Sequence, residues 1–108
     1  MARAASKRAP FPRTCDYTRT FHKDYERLSR SGRYDMHRLK EAMLLLIAND
    51  PPLGPEWLDH PLKGEWSGHR ECHIGGDFLL IYEIDDKAEK GGSIVFERTC
   101  THAELFNE

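Results

Sequence analysis

The spacing of apolar positions predicts an amphipathic helix near the start of the chain. Phe21, Tyr25 and Leu28 fall at i, i+4 and i+7, which places them on one helical face. Basic and polar residues occupy the rest of this stretch, and Gly32 is suited to end the helix. The segment from Thr14 to Thr18, just before the helix, is a candidate strand.

A second helix is predicted from about Tyr34 to Asn49. Its apolar residues follow the helical period, and Asp35 is a candidate N-cap. The segment Asp50-Pro51-Pro52 ends the pattern because proline lacks the N–H that a helix needs.

Strands are predicted for the second half of the chain, after a Pro-, Gly- and Trp-rich stretch at 51–67. The strand candidates are 69–74, 77–85 and 93–100. Gly75-Gly76 is a two-residue hairpin signal between the first two, and residues 86–92 read as a polar turn before the third. The predicted element order is β-α-α-β-β-β.

The hairpin signal also predicts which side chains share a face of the sheet. A tight turn at Gly75-Gly76 sets His73 opposite Phe78, and side chains alternate between faces along a strand. On this register the His73 face carries Glu71, Phe78, Leu80 and Tyr82, and a helix-covered face carries Cys72, Ile74, Leu79 and Ile81.

The 108 residues are enough for one domain with a single core. We expect a flexible basic tail at 1–12 and the domain at 13–108. The start lacks the apolar stretch of a secretory signal, and the longest apolar run, 42–48, has 7 residues, too few to span a membrane. Three cysteines without a C-x-x-C pair fit a reducing compartment, so we expect a cytoplasmic protein.

Charge is divided unevenly along the chain. Residues 1–40 carry 11 Lys/Arg against 4 Asp/Glu, a net charge of +7, whereas residues 41–108 carry 5 against 14, a net charge of −9. A positive region of this size can hold a phosphate backbone, although most charge runs are a solvated helical surface. The basic residues on or between the two helices are Arg19, Lys23, Arg27, Arg30, Arg33 and Arg38.

Candidate chemistry lies in three histidines and an aspartate: His60, His73, His102 and Asp77. Histidine changes protonation near neutral pH, so their convergence would make either an acid–base site or a metal site. Each residue alone is more often an ordinary surface or turn residue. Spacing favours the metal-free alternative, because no C-x-x-C or H-E-x-x-H motif is present and Cys72 is predicted to face away from His73.

Four segments together resemble the YafQ branch of the RelE superfamily, the mRNA-cleaving toxins of bacterial toxin–antitoxin pairs. They are DHPLKGEW at 59–66, HRECH at 69–73, DFLLIY at 77–82 and FERTCTHAELF at 96–106. The resemblance covers about residues 14–106. It implies a small α/β (α+β) fold in which two N-terminal helices pack on a twisted, mainly antiparallel sheet.

The same resemblance implies an activity, a site and partners. It implies cleavage of mRNA in the ribosomal A site without a metal or other cofactor, and a cognate antitoxin that holds the toxin inactive. The positions that match catalytic or RNA-binding positions of the family are His60, His73, Asp77 and His102. Phe106 matches an aromatic near the C-terminus, and Phe78 replaces a tryptophan while keeping a stacking surface for the substrate. The basic residues named above would dock on ribosomal RNA.

RNA cleavage suits these residues because RNA supplies its own nucleophile, the 2′-hydroxyl. We expect His102 to act in proton transfer, with His60 or His73 as its counterpart. Arg98 or Arg70 is expected to neutralise charge on the phosphate. Two other hypotheses stay open: a non-catalytic RNA- or ribosome-binding module and a metal-dependent hydrolase.

Overall fold

The computed structural model describes residues 11–49, 53–87 and 91–106. Most of the predicted tail, the segment Asp50-Pro51-Pro52 and the side chain of Phe106 lie outside this described part. The elements are β1 (Thr14–Tyr17), α1 (Arg19–Ser31), α2 (Met36–Ala48), β2 (His60–Pro61), β3 (Arg70–Gly75), β4 (Phe78–Asp85), β5 (Ser93–Thr101) and α3 (His102–Phe106). Within the described residues, no helix is long and apolar enough to cross a membrane.

The five strands form one sheet in the order β1-β5-β4-β3-β2. The strand β1 lies parallel to β5, and the other neighbours are antiparallel. The predicted α+β fold is therefore confirmed. The structure adds the short strand β2, the helix α3 and two short 3-10 helices, Pro55–Trp57 and Gly64–Trp66, in the irregular stretch.

Both long helices begin and end at residues whose chemistry sets the boundary. Thr18 caps α1, since its hydroxyl accepts a hydrogen bond from the N–H of Phe21 at 3.0 Å. Gly32 ends α1 in the left-handed conformation, with φ of 71°. Asp35 caps α2 as predicted, accepting from the N–H of Arg38 at 3.0 Å.

The helices cover one face of the sheet and leave the other largely to shorter segments. Leu28 of α1 and Leu39 of α2 pack in the main core with sheet residues that include Leu80 and Phe96. Consecutive residues of a strand point to opposite faces, so the neighbour of Leu80, Ile81, lies on the other side. That side, which we call the open face, carries a small second core made of Ile81, Cys100, Leu105, Leu62 and Trp66.

The predicted hairpin register is wrong by one residue. The turn lies at Gly76 and Asp77, so that Gly75 pairs with Phe78 and His73 pairs with Leu79. The pairing is irregular between His73 and Gly75, where one extra residue is accommodated. As a result Phe78, Leu80 and Tyr82 face the helices, and Leu79 and Ile81 share the open face with His73.

Candidate active site

Three imidazole rings surround one buried carboxylate on the open face. The Nε2 atoms of His60 and His73 each lie 3.3 Å from Oε2 of Glu71, and Nε2 of His102 lies 3.5 Å from the same oxygen. The side chain of Glu71 is only 3% exposed. A buried carboxylate needs hydrogen-bond donors or positive charge around it, and these imidazoles are in position to supply them.

Three separate segments bring the histidines together. His60 in β2 pairs opposite Glu71 in β3, and His73 follows two residues later on the same face. His102 begins α3, directly after β5. The ring centroid of His73 lies 6.0 Å from that of His60 and 5.6 Å from that of His102. We call His60, Glu71, His73, Asp77 and His102 the histidine cluster.

Asp77 fixes the orientation of His102. Nδ1 of His102 donates to Oδ1 of Asp77 at 2.7 Å, and the backbone N–H of His102 donates to the same oxygen at 3.2 Å. These bonds lower the pKa of Asp77 below its ordinary value, and the side-chain hydrogen bond contributes more than the backbone one. With Nδ1 held in this way, Nε2 of His102 faces Glu71 and is the nitrogen left free of the bond to Asp77.

The ring of His60 is oriented by the backbone. Its Nδ1 lies 2.8 Å from the carbonyl oxygen of Leu58 and, because a carbonyl only accepts, Nδ1 carries the proton. This leaves Nε2 of His60 facing Glu71. His60 and His102 therefore both direct Nε2 towards Glu71, because a hydrogen bond holds Nδ1 of each ring.

Asp59 anchors the segment that carries His60. Its carboxylate accepts from Nε of Arg70 at 2.7 Å and from the hydroxyl of Tyr82. Burial and the bond to Asp59 raise the pKa of Tyr82 well above its ordinary value, so the hydroxyl remains a donor. Arg70 pairs with Tyr82 across β3 and β4 and therefore lies on the helix-covered side, away from the histidine cluster.

The structure corrects the expected roles of Phe78 and Arg98. Phe78 is 3% exposed and its ring packs 4.9 Å from that of Tyr34 in the main core, so it offers no stacking surface to a base. Arg98 is 6% exposed, and its Nε and one terminal nitrogen each lie 3.1 Å from the carboxylate oxygens of Asp24. This buried pairing commits Arg98 to the fold rather than to a substrate phosphate.

Two of the six predicted ribosome-binding residues are also committed within the chain. Arg38 donates to the carbonyl of Ile74 at 2.6 Å, and its guanidinium lies 4.0 Å from the ring centre of Trp57. Arg27 pairs with Glu104 at 2.7 Å and with Asp24. Arg27 nevertheless keeps a half-exposed side chain. The other exposed basic side chains on or beside α1 are Arg19, Lys23, Arg30 and Arg33.

Glu71 is the member of the cluster that had no role in the sequence-based prediction. The signal available was its alternation with His73, which puts both on one face of β3. Its donor oxygen and the nitrogens of His60 and His73 all lie within 4.8 Å of one another, which is close enough for a shared metal ion. Motif spacing gave no sign of such a group because His60 lies in a different strand from Glu71 and His73.

Two N-terminal helices packed on a mainly antiparallel sheet are the arrangement that the resemblance in the sequence implied. Residues 13–107 match the family described as bacterial toxin of type II toxin-antitoxin system, YafQ. The mRNA interferase toxin YafQ of Escherichia coli K12 is 43% identical over 94 residues, which are 87% of this chain and 96% of that protein. The chain therefore belongs to the YafQ family.

Solved structures agree with this assignment. The toxin in the E. coli DinJ-YafQ toxin-antitoxin complex is 42% identical, with a TM-score of 0.75 over 89% of this chain and 99% of that one. A metal-bound toxin from Helicobacter pylori is 34% identical, with a TM-score of 0.74 over 86% of this chain and 98% of that one. The predicted family and enzyme class, an endoribonuclease of the mRNA interferase type, are confirmed.

Proposed function

We propose that this toxin cleaves mRNA in the ribosomal A site by metal-independent general acid–base catalysis at the histidine cluster. The observation that carries the proposal is the meeting of three imidazoles at one buried carboxylate, Glu71, on the open face. Imidazole is the side chain suited to both proton removal and proton donation near neutral pH. Membership of a family whose curated relative is named an mRNA interferase supports RNA as the substrate.

The reaction needs two proton transfers and no external nucleophile. A base removes the proton of the 2′-hydroxyl, whose oxygen attacks phosphorus, and an acid protonates the leaving 5′-oxygen as the P–O bond breaks. The products are a 2′,3′-cyclic phosphate and a 5′-hydroxyl. We assign His102 to one transfer because Asp77 holds its Nδ1 and thereby directs Nε2 into the cluster. His73, whose ring is 5.6 Å from that of His102, or His60 is its counterpart.

Charge that develops on the phosphate needs a cation close by. Arg70 and Arg98, the two arginines predicted for this role, are paired with Asp59 and Asp24 respectively. We therefore assign this role to a protonated imidazole of the cluster that is not engaged in proton transfer. Glu71 supports that role because its carboxylate lies beside all three rings.

A metal-dependent hydrolase is the second candidate, and one observation favours it. His60, Glu71 and His73 place donor atoms within 4.8 Å of one another, and imidazole with carboxylate is a suitable donor set for a divalent first-row metal. A bound ion would polarise the phosphate as a Lewis acid. The test is to remove zinc and copper while magnesium is kept in excess for the ribosome. Cleavage activity that survives this treatment supports the metal-free proposal. Loss of cleavage activity that is reversed by adding zinc supports the metal-dependent hydrolase.

The proposed partners are a cognate antitoxin, the ribosome and mRNA. The E. coli DinJ-YafQ structure shows the antitoxin partnership for a relative that this chain matches over almost its whole length. The exposed basic residues of α1 are suited to ribosomal RNA, since phosphate contacts position a protein without reading sequence. The alternative is a module that binds RNA or the ribosome without cleaving RNA, and substitution of His102 distinguishes it from an enzyme.

His102→Ala tests the proposed mechanism. The variant should fold and bind ribosomes like wild type but lose about 10²- to 10⁴-fold in the rate of mRNA cleavage, the usual contribution of general acid–base catalysis. The matched control is His37→Ala, because His37 is an exposed histidine of α2 outside the cluster. Cleavage by His102→Ala at the wild-type rate would exclude the assignment, and a non-catalytic binding module would show no cleavage by wild type either.

A further inference from the structure

A second group of a histidine and two carboxylates lies farther along the open face. It consists of His69, just before β3, Glu83 in β4 and Glu97 in β5. Nε2 of His69 lies 3.4 Å from Oε2 of Glu97 and 3.9 Å from Oε1 of Glu83. The three donor atoms all lie within 4.8 Å of one another. None of these residues belongs to the histidine cluster.

These separations fit the donor spacing of a tetrahedral metal site. Zinc–nitrogen and zinc–oxygen bonds of about 2.0–2.2 Å place neighbouring ligand atoms about 3.3–3.5 Å apart. The distance between His69 and Glu97 is already in that range at 3.4 Å. Glu83 is half exposed, so its side chain can close the remaining gap by rotation.

The two carboxylates are poorly compensated without a cation. Among the residues that the structure describes, no lysine or arginine nitrogen lies within ion-pair distance of either, and their partner is His69. The group opens into a cleft of about 440 Å³ that is also lined by Glu65. A cation entering this cleft therefore meets the carboxylates of Glu83 and Glu97 and one imidazole nitrogen.

The His69 ring is fixed with Nε2 towards the carboxylates. Trp66 packs against it edge-on, with ring centres 5.2 Å apart, and the backbone N–H of His69 donates to the Trp66 carbonyl at 3.0 Å. Nδ1 is buried and has no hydrogen-bond partner among the described residues. Packing, rather than a second side-chain hydrogen bond, therefore sets the ring, and Nε2 is the nitrogen it offers to a ligand.

We propose that His69, Glu83 and Glu97 bind one divalent first-row metal ion of the zinc class. One imidazole with two carboxylates suits such an ion, and three protein ligands leave a fourth position open to the cleft. The ion ties together three neighbouring segments of the sheet. Zinc binding at this group is independent of mRNA cleavage and of any metal held by the histidine cluster.

The test is calorimetric titration with zinc alone, in a background variant that lacks the metal-ligand atoms of the histidine cluster. His60→Ala with His73→Ala removes the other possible donor group and should still bind one zinc per chain. Adding Glu83→Gln and Glu97→Gln to that background should weaken zinc binding by at least about tenfold and abolish the zinc-dependent rise in Tm. The matched control in the same background is His22→Gln with Glu26→Gln, an exposed pair on α1 whose loss should change neither.

Failure of the background protein to bind zinc would overturn the proposal, as would equal binding by the glutamine variant. If the cleft instead receives a basic side chain of a partner protein, the background protein does not bind zinc. The Tm of every variant is measured first without zinc. If the glutamine variant does not fold, His69→Gln takes its place, and unchanged zinc affinity in that variant is equally decisive against the site.

Discussion

The sequence shows which residue types could carry chemistry, but it does not show which residues surround them, and Glu71 is the example. The histidines of the cluster were predictable because imidazole is uncommon and chemically distinctive. Glutamate is common on surfaces, and Glu71 becomes buried among three imidazoles only because β2 pairs with β3 and α3 follows β5. That convergence depends on pairing between segments far apart in the chain, which no local pattern encodes.

Asp77→Asn should make the protein less stable at neutral pH, with the difference from wild type disappearing in acid. The asparagine oxygen still accepts from His102, but hydrogen bonds to a charged carboxylate are roughly twice as strong as neutral ones. Because the pKa of Asp77 is lowered in the folded protein, its charge contributes stability above the unfolded pKa, about 3.9, and loses that contribution as pH falls through the folded value.

Melting temperatures of the two proteins between pH 7 and pH 3 check this expectation. The curves should converge below about pH 4. Glu41→Gln, at an exposed position of α2, is the control and should show no such convergence. A constant difference between Asp77→Asn and wild type over the whole range would mean that charge on Asp77 does not strengthen its bond to His102.

Helix boundaries were predictable at the scale of elements, whereas strand register was not. The signals for α1 and α2 are local: apolar spacing, Asp35 at the start of α2 and Gly32 after α1. The hairpin register instead depends on an irregularity between His73 and Gly75 that is visible only once β3 pairs with β4. A shift of one residue exchanges the two faces, which is why the pattern predicts Phe78 at the substrate although it lies in the core.

The buried pair between Asp24 and Arg98 attaches α1 to β5. Asp24→Asn should destabilise the protein by about 3–5 kcal/mol, because the buried guanidinium of Arg98 then loses a charged partner. The same carboxylate also accepts from the backbone N–H of Thr99 at 3.2 Å, so its loss weakens a second tie to β5. Urea denaturation measures the difference in unfolding free energy.

Glu26→Gln is the control for this experiment because Glu26 lies on the exposed side of the same helix. Its effect should stay within about 0.5 kcal/mol, as for ordinary surface substitutions. Equal effects of the two substitutions would show that the pair between Asp24 and Arg98 contributes no more to stability than a surface interaction.

The uneven charge of the whole molecule was visible in the sequence, but the sequence did not show which basic residues are available to bind the ribosome. Of the six basic residues predicted to bind the ribosome, Arg38 is engaged with Ile74 and Trp57, and Arg27 with Asp24 and Glu104. Such commitments follow from tertiary packing. The four that are exposed and make no such pair with the described residues include Arg19, Lys23 and Arg30.

Reversing the charge of Arg19, Lys23 and Arg30 should weaken ribosome binding without changing which codons are cut. Neutralised phosphates release counterions, so the slope of log affinity against log salt should fall by about one unit for every phosphate that the variant no longer neutralises. Binding measured over a range of salt concentrations gives both quantities. The control is Lys40→Glu with Lys87→Glu, two exposed lysines outside the predicted surface. Unchanged affinity and slope in the triple variant would identify the region as an ordinary solvated surface.

The parallel pairing of β1 with β5 also governs when this protein can become complete during its own synthesis. Thr14 pairs with Ser93, so the first strand waits for its neighbour until β5 has been translated. The histidine cluster is finished later still, because His102 follows the last strand. A nascent chain that ends before β5 has neither the complete sheet nor His102. Under the mechanism proposed above, such a chain cannot yet cleave RNA.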